Sequence, residues 1–194
     1  MLHAHEAGVI IIAAGSNEGA NARIAFPASL PYVFCIGATN HKGKTLSLSP
    51  QEKQVEKFST FGKNVTGAVI QKYWKTPECR EGKKSGTSIA APIAAGIAAL
   101  LLEVAHQCGL DAHGYEKMRR LFLSLSQEVD SYHYLTPWDL FGQETAPHLR
   151  IAELLANPAG LLVGRAWLII SWCNRNRECR TVILFSYFPS NLKA

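Results

Sequence analysis

Two short stretches carry residues whose types and spacing could do chemistry: AAGSNEGAN, Ala13 to Asn21, and SGTSIAAPIAAG, Ser85 to Gly96. In the second, Ser88 opens an apolar helical run with Gly86 two places before it. There the backbone can approach closely, and a helix N-terminus favours the negative charge that develops when a hydroxyl attacks a carbonyl. The plainer role for Thr87 or Ser88 is a helix cap, since threonine and serine are among the commonest caps. In the first stretch, Gly15 and Gly19 after an apolar strand could cradle a phosphate. The spacing is not GxGxxG, however, and no helix clearly follows, so nucleotide binding is the weaker reading.

Other candidates fall away sooner. His106 and Cys108 are two potential ligands, too few for a zinc site, and no metal or other cofactor is expected. His3, His5 and His41 precede Ser88, and His113-Gly114 follows it in what reads as a loop between helices. None of these histidines stands in a context that would make it a base.

The elements that must position these residues follow from periodicity. The opening reads as the last turn of a helix stopped at Gly8, then a strand over Val9 to Ile12 that is apolar on both faces and so a buried parallel one. Tyr32 to Ala38 has the same character, whereas Thr39 to Lys57 is polar and lysine-rich, as a surface connection with a hairpin would be. Weaker strand signals lie around Phe58 and between Val65 and Ile70. Thr87 to His106 is a helix without a polar face until Glu103, which predicts burial all round, and Pro92 marks its beginning. Tyr115, Met118, Leu121, Phe122 and Leu125 recur at the spacing of an amphipathic outer helix. A last helix is expected over 148–156, stopped at Asn157-Pro158. Alternating buried strands and helices predict an α/β fold, a parallel sheet flanked by helices.

Composition bounds the rest. The 194 residues are 47% hydrophobic, enough for one sizeable core. The net charge of +5 is uneven: residues 1–160 hold 15 basic and 14 acidic residues, while 161–194 hold five and one. A near-neutral body argues against a nucleic-acid partner. The apolar runs 161–172 and 182–188 fall short of the roughly 20 residues that span a bilayer, so no membrane partner is expected. Five cysteines with no CxxC pair argue against a disulfide framework and favour a reducing, cytoplasmic compartment.

The order AAGSNEG, FPASLPYVFCIGAT, FSTFG and GTSIAAPIAAGIAALLLE resembles the subtilisin-like serine peptidases, closely over residues 5–108, and YEKMRRLFLSLSQ with TPWDLFG is similar to the C-terminal part of fungal-type members. The resemblance implies a partial subtilisin-like fold over 1–160 with its N-terminal half missing, followed by an atypical tail, 161–194, without a clear element pattern. It implies Ser88 as catalytic nucleophile and Asn17 as the donor of an oxyanion hole. In that family, loss of the asparagine donor is known to cost about 10²–10³ in rate. The glycine usual before the asparagine is Ser16 here, with Gly15 one place earlier, and Ile93 replaces the histidine common after the GTSxAxP proline.

The family's triad runs Asp, His, Ser along the chain. Asp111 is the first aspartate in this sequence, and no DTG-like or HGT-like segment precedes Ser88. The resemblance therefore implies a serine endopeptidase of polypeptide substrates, inactive as this chain, with the missing half of the domain as a partner. The alternative is a non-catalytic pseudopeptidase or interaction module.

Overall fold

The computed structural model describes residues 1–68, 81–140, 151 and 183–185. Its framework is a six-stranded sheet whose centre is parallel. Strand β1 (Ile11–Ala14) lies beside β2 (Phe34–Thr39), which pairs with β3 (Lys57–Phe61), all parallel. β3 continues in parallel to β7 (Tyr132–Leu135), and β7 closes one edge as an antiparallel hairpin with β6 (Ser126–Val129). On the other edge β8 (Ile183–Phe185) runs parallel to β1. A separate ribbon pairs β4 (Val65–Ala68) with β5 (Glu81–Lys84). The expected α/β class with a parallel sheet and flanking helices is therefore the observed one.

Both faces of the central strands are covered, which is why their sequences are apolar without alternation. On one face Ile12, Ala14, Phe34, Ile36, Ala38 and Phe58 meet the long helix α2 (Thr87–Gln107) and α3 (Tyr115–Ser124). The α2 face is alanine-rich, with Ala90, Ala91, Ala94 and Ala98 all buried, so the helix axis can lie close to the sheet. Farther along, Phe34, Phe58 and Phe122 stack with centroids 5.1–5.6 Å apart, within the range of favourable aromatic pairs. On the opposite face Ile11, Ala13, Val33 and Cys35 pack with Ile24 and Ala28 of the intervening loop and with Met1 and Ala4, at the start of the short helix α1 (Leu2–Glu6).

Several features depart from the sequence-based expectation. α2 is not buried all round. Pro92, Gly96, Ala99 and Glu103 form an exposed stripe at helical spacing, and Pro92 is the sixth helical residue rather than a mark of the first turn. By length and composition α2 could cross a bilayer, but eight of its residues are buried within the fold. The β6–β7 hairpin had no sequence signal because its turn residues, Asp130 and Ser131, take positive φ of 51° and 65° without a glycine. The tail does supply an element, since β8 pairs in parallel with β1. The expected helix over 148–156 lies outside the described residues apart from Ile151, which is helical and buried.

A buried lysine sits on the face opposite α2. Lys57, 2% exposed, donates to the carbonyls of Glu52 and Val55 and lies 5.3 Å over the Tyr132 ring. Tyr132 in turn donates to Pro50 O, and its ring fills the space where a Cβ on Gly37 would stand. These contacts fasten the long connection between β2 and β3 onto the sheet. Removing the aromatic packing on the helical face should be costly. Phe122→Ala is expected to lower unfolding stability by about 3–5 kcal/mol in urea denaturation, and a loss below about 1 kcal/mol would contradict the packing described.

Candidate active site

The two stretches singled out in the sequence meet at the C-terminal end of the sheet. Asn17 is the third residue after β1, and Ser88 is the second residue of α2. Such crevices at strand C-termini are where α/β sheets place their ligands.

The joint between them is built from hydrogen bonds. The Asn17 side-chain oxygen accepts from the Thr87 backbone N–H at 2.8 Å and from the Thr87 hydroxyl at 3.1 Å. The same hydroxyl lies 3.1 Å from Ser16 O and can donate to either acceptor. An amide N–H can only donate, so the atom of Asn17 that faces Thr87 must be its oxygen, and the NH₂ is turned elsewhere. α2 is thus capped in trans by a residue from the β1 exit rather than by its own N-cap residue, Gly86, which makes no side-chain cap. Among the described residues the Asn17 NH₂, the Ser88 N–H and the Ser88 hydroxyl have no hydrogen-bond partner. Unengaged N–H donors next to this joint, at the positive end of a long helix, are groups of the kind that stabilise an oxyanion.

Glycines set the approach. Gly86 has φ of 150°, and a Cβ there would stand 3.2 Å from both polar atoms of the Asn17 amide. A Cβ on Gly62 would come within 2.8 Å of Ala38 Cβ and 2.9 Å of Gly86 O. Gly62 O accepts from Gly86 N at 2.9 Å, and Ser85 Oγ accepts from Asn64 N at 2.8 Å, so the loop after β3 clasps the segment before Ser88. Ser16 takes φ of 151°, a backbone state that favours glycine. The serine-for-glycine exchange is therefore accommodated with the Asn17 oxygen still on Thr87. Sequence reasoning missed this work of Thr87, Gly62 and Ser85, although GTS and FSTFG were both noted.

No base meets Ser88 among the described residues. His3 is exposed beside Glu6, and His5 stacks on Tyr32 with centroids 4.8 Å apart, at the opposite end of the strands. His41 is exposed in the turn after β2, and the His133 ring rests against Phe58. His106 ends α2, about 27 Å along the helix from Ser88, and His113 follows it. Asp111 is engaged by Lys117 at 2.7 Å and by the His113 N–H, which hold its carboxyl below the usual range, and Asp130 accepts from Thr45 N. No group of three metal-ligating side chains occurs among the described residues.

Comparison with known proteins agrees with the motif order. The model of the subtilase family matches residues 1–130. The chain is 38% identical over 98 residues to the minor extracellular protease Epr of Bacillus subtilis, covering 50% of this chain and 14% of that protein. It is 32% identical over 102 residues to the extracellular basic protease of Dichelobacter nodosus, covering 53% and 17%. The structure of the prenylagaramide maturation protease PagA superposes with a TM-score of 0.59 at 26% identity, over 78% of this chain and 52% of that one. The chain thus spans less than a quarter of the curated relatives named and about half of that solved structure.

These relatives overturn the cytoplasmic expectation, since those named are extracellular proteases. Of the two described cysteines, Cys35 is fully buried under Gly15, where burial pushes its thiol up to about 12 and makes it inert, and Cys108 is a free, exposed thiol.

The trans cap separates two functions of one side chain. Asn17→Ala, which strips both acceptor and donor, is expected to lower stability by about 1 kcal/mol, whereas Asn17→Asp keeps the acceptor and should stay within about 0.5 kcal/mol of the parent. Urea denaturation checks both, and equal losses would contradict the assigned amide orientation.

Proposed function

The chain belongs to the subtilase family, and on that footing we propose that it is the nucleophile-bearing part of a serine endopeptidase domain, with Ser88 as the attacking hydroxyl and Asn17 as an oxyanion donor. The observation that carries this reading is the Asn17–Thr87 joint, which leaves the Asn17 NH₂, the Ser88 N–H and the Ser88 hydroxyl unengaged among the described residues. Ser88 Oγ attacks the scissile carbonyl, and its proton passes to a general base. The carbonyl oxygen gains negative charge and takes hydrogen bonds from Ser88 N–H and the Asn17 NH₂. Collapse expels the amine, which leaves with the proton from the base, and water then hydrolyses the ester on Ser88.

The base and its orienting acid come from polypeptide other than the described residues, because none of the histidines described here meets Ser88. The exposed stripe Pro92, Gly96, Ala99 on α2 is a surface that such a partner segment could cover. The same absence of a base favours a second reading, a pseudopeptidase that retains the joint without turnover.

A fluorophosphonate probe applied to the natural source, followed by peptide mapping, is expected to place its adduct on Ser88. Purified residues 1–194 should turn over peptide substrates about 10⁶-fold more slowly than the source enzyme, the loss known for this class without its base. In the source enzyme Asn17→Asp should lower kcat about 10²–10³-fold, as the loss of this donor does in the family. No adduct on Ser88 in the natural source would sink the peptidase reading and leave the pseudopeptidase.

A further inference from the structure

In sequence, the segment that precedes Ser88 is charged in a way that the body of the chain is not. Between Gly62 and Ser88 lie Lys63, Lys72, Lys75, Arg80, Lys83 and Lys84 against Glu78 and Glu81, whereas residues 1–160 as a whole are nearly neutral. The described part of this segment is the β4–β5 ribbon, whose side chains are largely exposed. Lys63 lies in the turn before β4 and Lys83 on β5 opposite Thr66, and both are exposed. Neither has an ion pair or hydrogen bond among the described residues, whereas Lys84 and Glu81 are engaged.

The ribbon is held rigidly to the site. The Gly86 N–H donates to Gly62 O at 2.9 Å and the Asn64 N–H to Ser85 Oγ at 2.8 Å, so the turn carrying Lys63 is bonded to the residues just before Thr87. Lys83 is five residues before Ser88, no more than about 18 Å by chain length. A lysine side chain reaches part of that way, and a peptide residue two or three positions from the scissile bond lies about 7–10 Å out along an extended strand.

We propose that the peptide taken at Ser88 carries an acidic side chain on the one side of the scissile bond that faces Lys63 and Lys83. This rests on the peptidase reading and names its substrate class. Exposed ammonium groups that lack partners gain most from a carboxylate brought near them. A phosphate-bearing polymer would also meet the lysines, but it does not account for their attachment to the residues around Ser88.

The test is a walk of single glutamates through a dye-labelled glutamine-containing peptide, bound to the Ser88→Ala chain and read by fluorescence anisotropy. Glutamate on one side of the site should tighten binding about three- to tenfold at low salt. That gain should vanish near 1 M salt, where screening acts within about 3 Å, and in Lys63→Gln/Lys83→Gln. Equal binding of glutamine and glutamate peptides, a gain on both sides, a gain that survives the lysine substitutions, or tighter capture of a single-stranded oligonucleotide would overturn the proposal. Phosphonate labelling of Ser88 is read separately. Glutamate preference without labelling would remove the nucleophile and keep the acidic recognition, whereas labelling without preference would remove the recognition alone.

Discussion

The hydrogen bond from the Thr87 N–H to the Asn17 side-chain oxygen holds the site together. A buried helix of 21 residues must satisfy its first N–H groups, and its own N-cap, Gly86, has no side chain to do so. Asn17 does it from the exit of β1, which fixes the start of α2 against the sheet and fixes which end of its own amide stays available. The surrounding residues conform to that contact. Gly62 has no room for a Cβ, Gly86 takes a φ of 150° with the Asn17 amide close by, Ser16 takes a glycine-like φ, and Ser85 and Asn64 clasp the neighbouring loop.

Much of this was legible in the sequence. The apolar strands Ile11–Ala14 and Phe34–Thr39 announce a sheet buried on both faces, and the alanine-rich run after Gly86 announces a helix lying close upon it. The family, and the two stretches that hold Asn17 and Ser88, could be read from motif order. Their connection through Thr87 could not, because a cap supplied from 70 residues away leaves no local spacing to detect. The β6–β7 hairpin was hidden for a related reason: Asp130 and Ser131 accept positive φ under tertiary constraint, so the glycine that usually marks such a turn is absent. The burial of α2 was over-read, since alanine and glycine suit an exposed stripe as well as a core, and composition alone cannot tell the two apart. Cysteine count misled on compartment because a chain with a core of its own needs no disulfides, so free thiols such as buried Cys35 and exposed Cys108 say little about where it works.

The residues brought together bear on one part of a carbonyl attack. In the proposed reading Ser88 supplies the hydroxyl, and the β1 exit and the α2 start supply donors for the charge that develops, while proton transfer needs a group that none of the described residues supplies. The turn that carries Lys63 is tied to the residues before Thr87 through the Gly62–Gly86 and Asn64–Ser85 bonds.

The most direct measurement is a crystal structure of the chain with a phosphonate bonded to Ser88 Oγ. A phosphonyl oxygen within hydrogen-bond distance of both the Asn17 NH₂ and the Ser88 N–H, with the Asn17 oxygen still on the Thr87 N–H, is the expected result. An Asn17 amide turned away from the phosphonate, with Thr87 N–H capped by another group, would contradict the assignment of this joint as the oxyanion site.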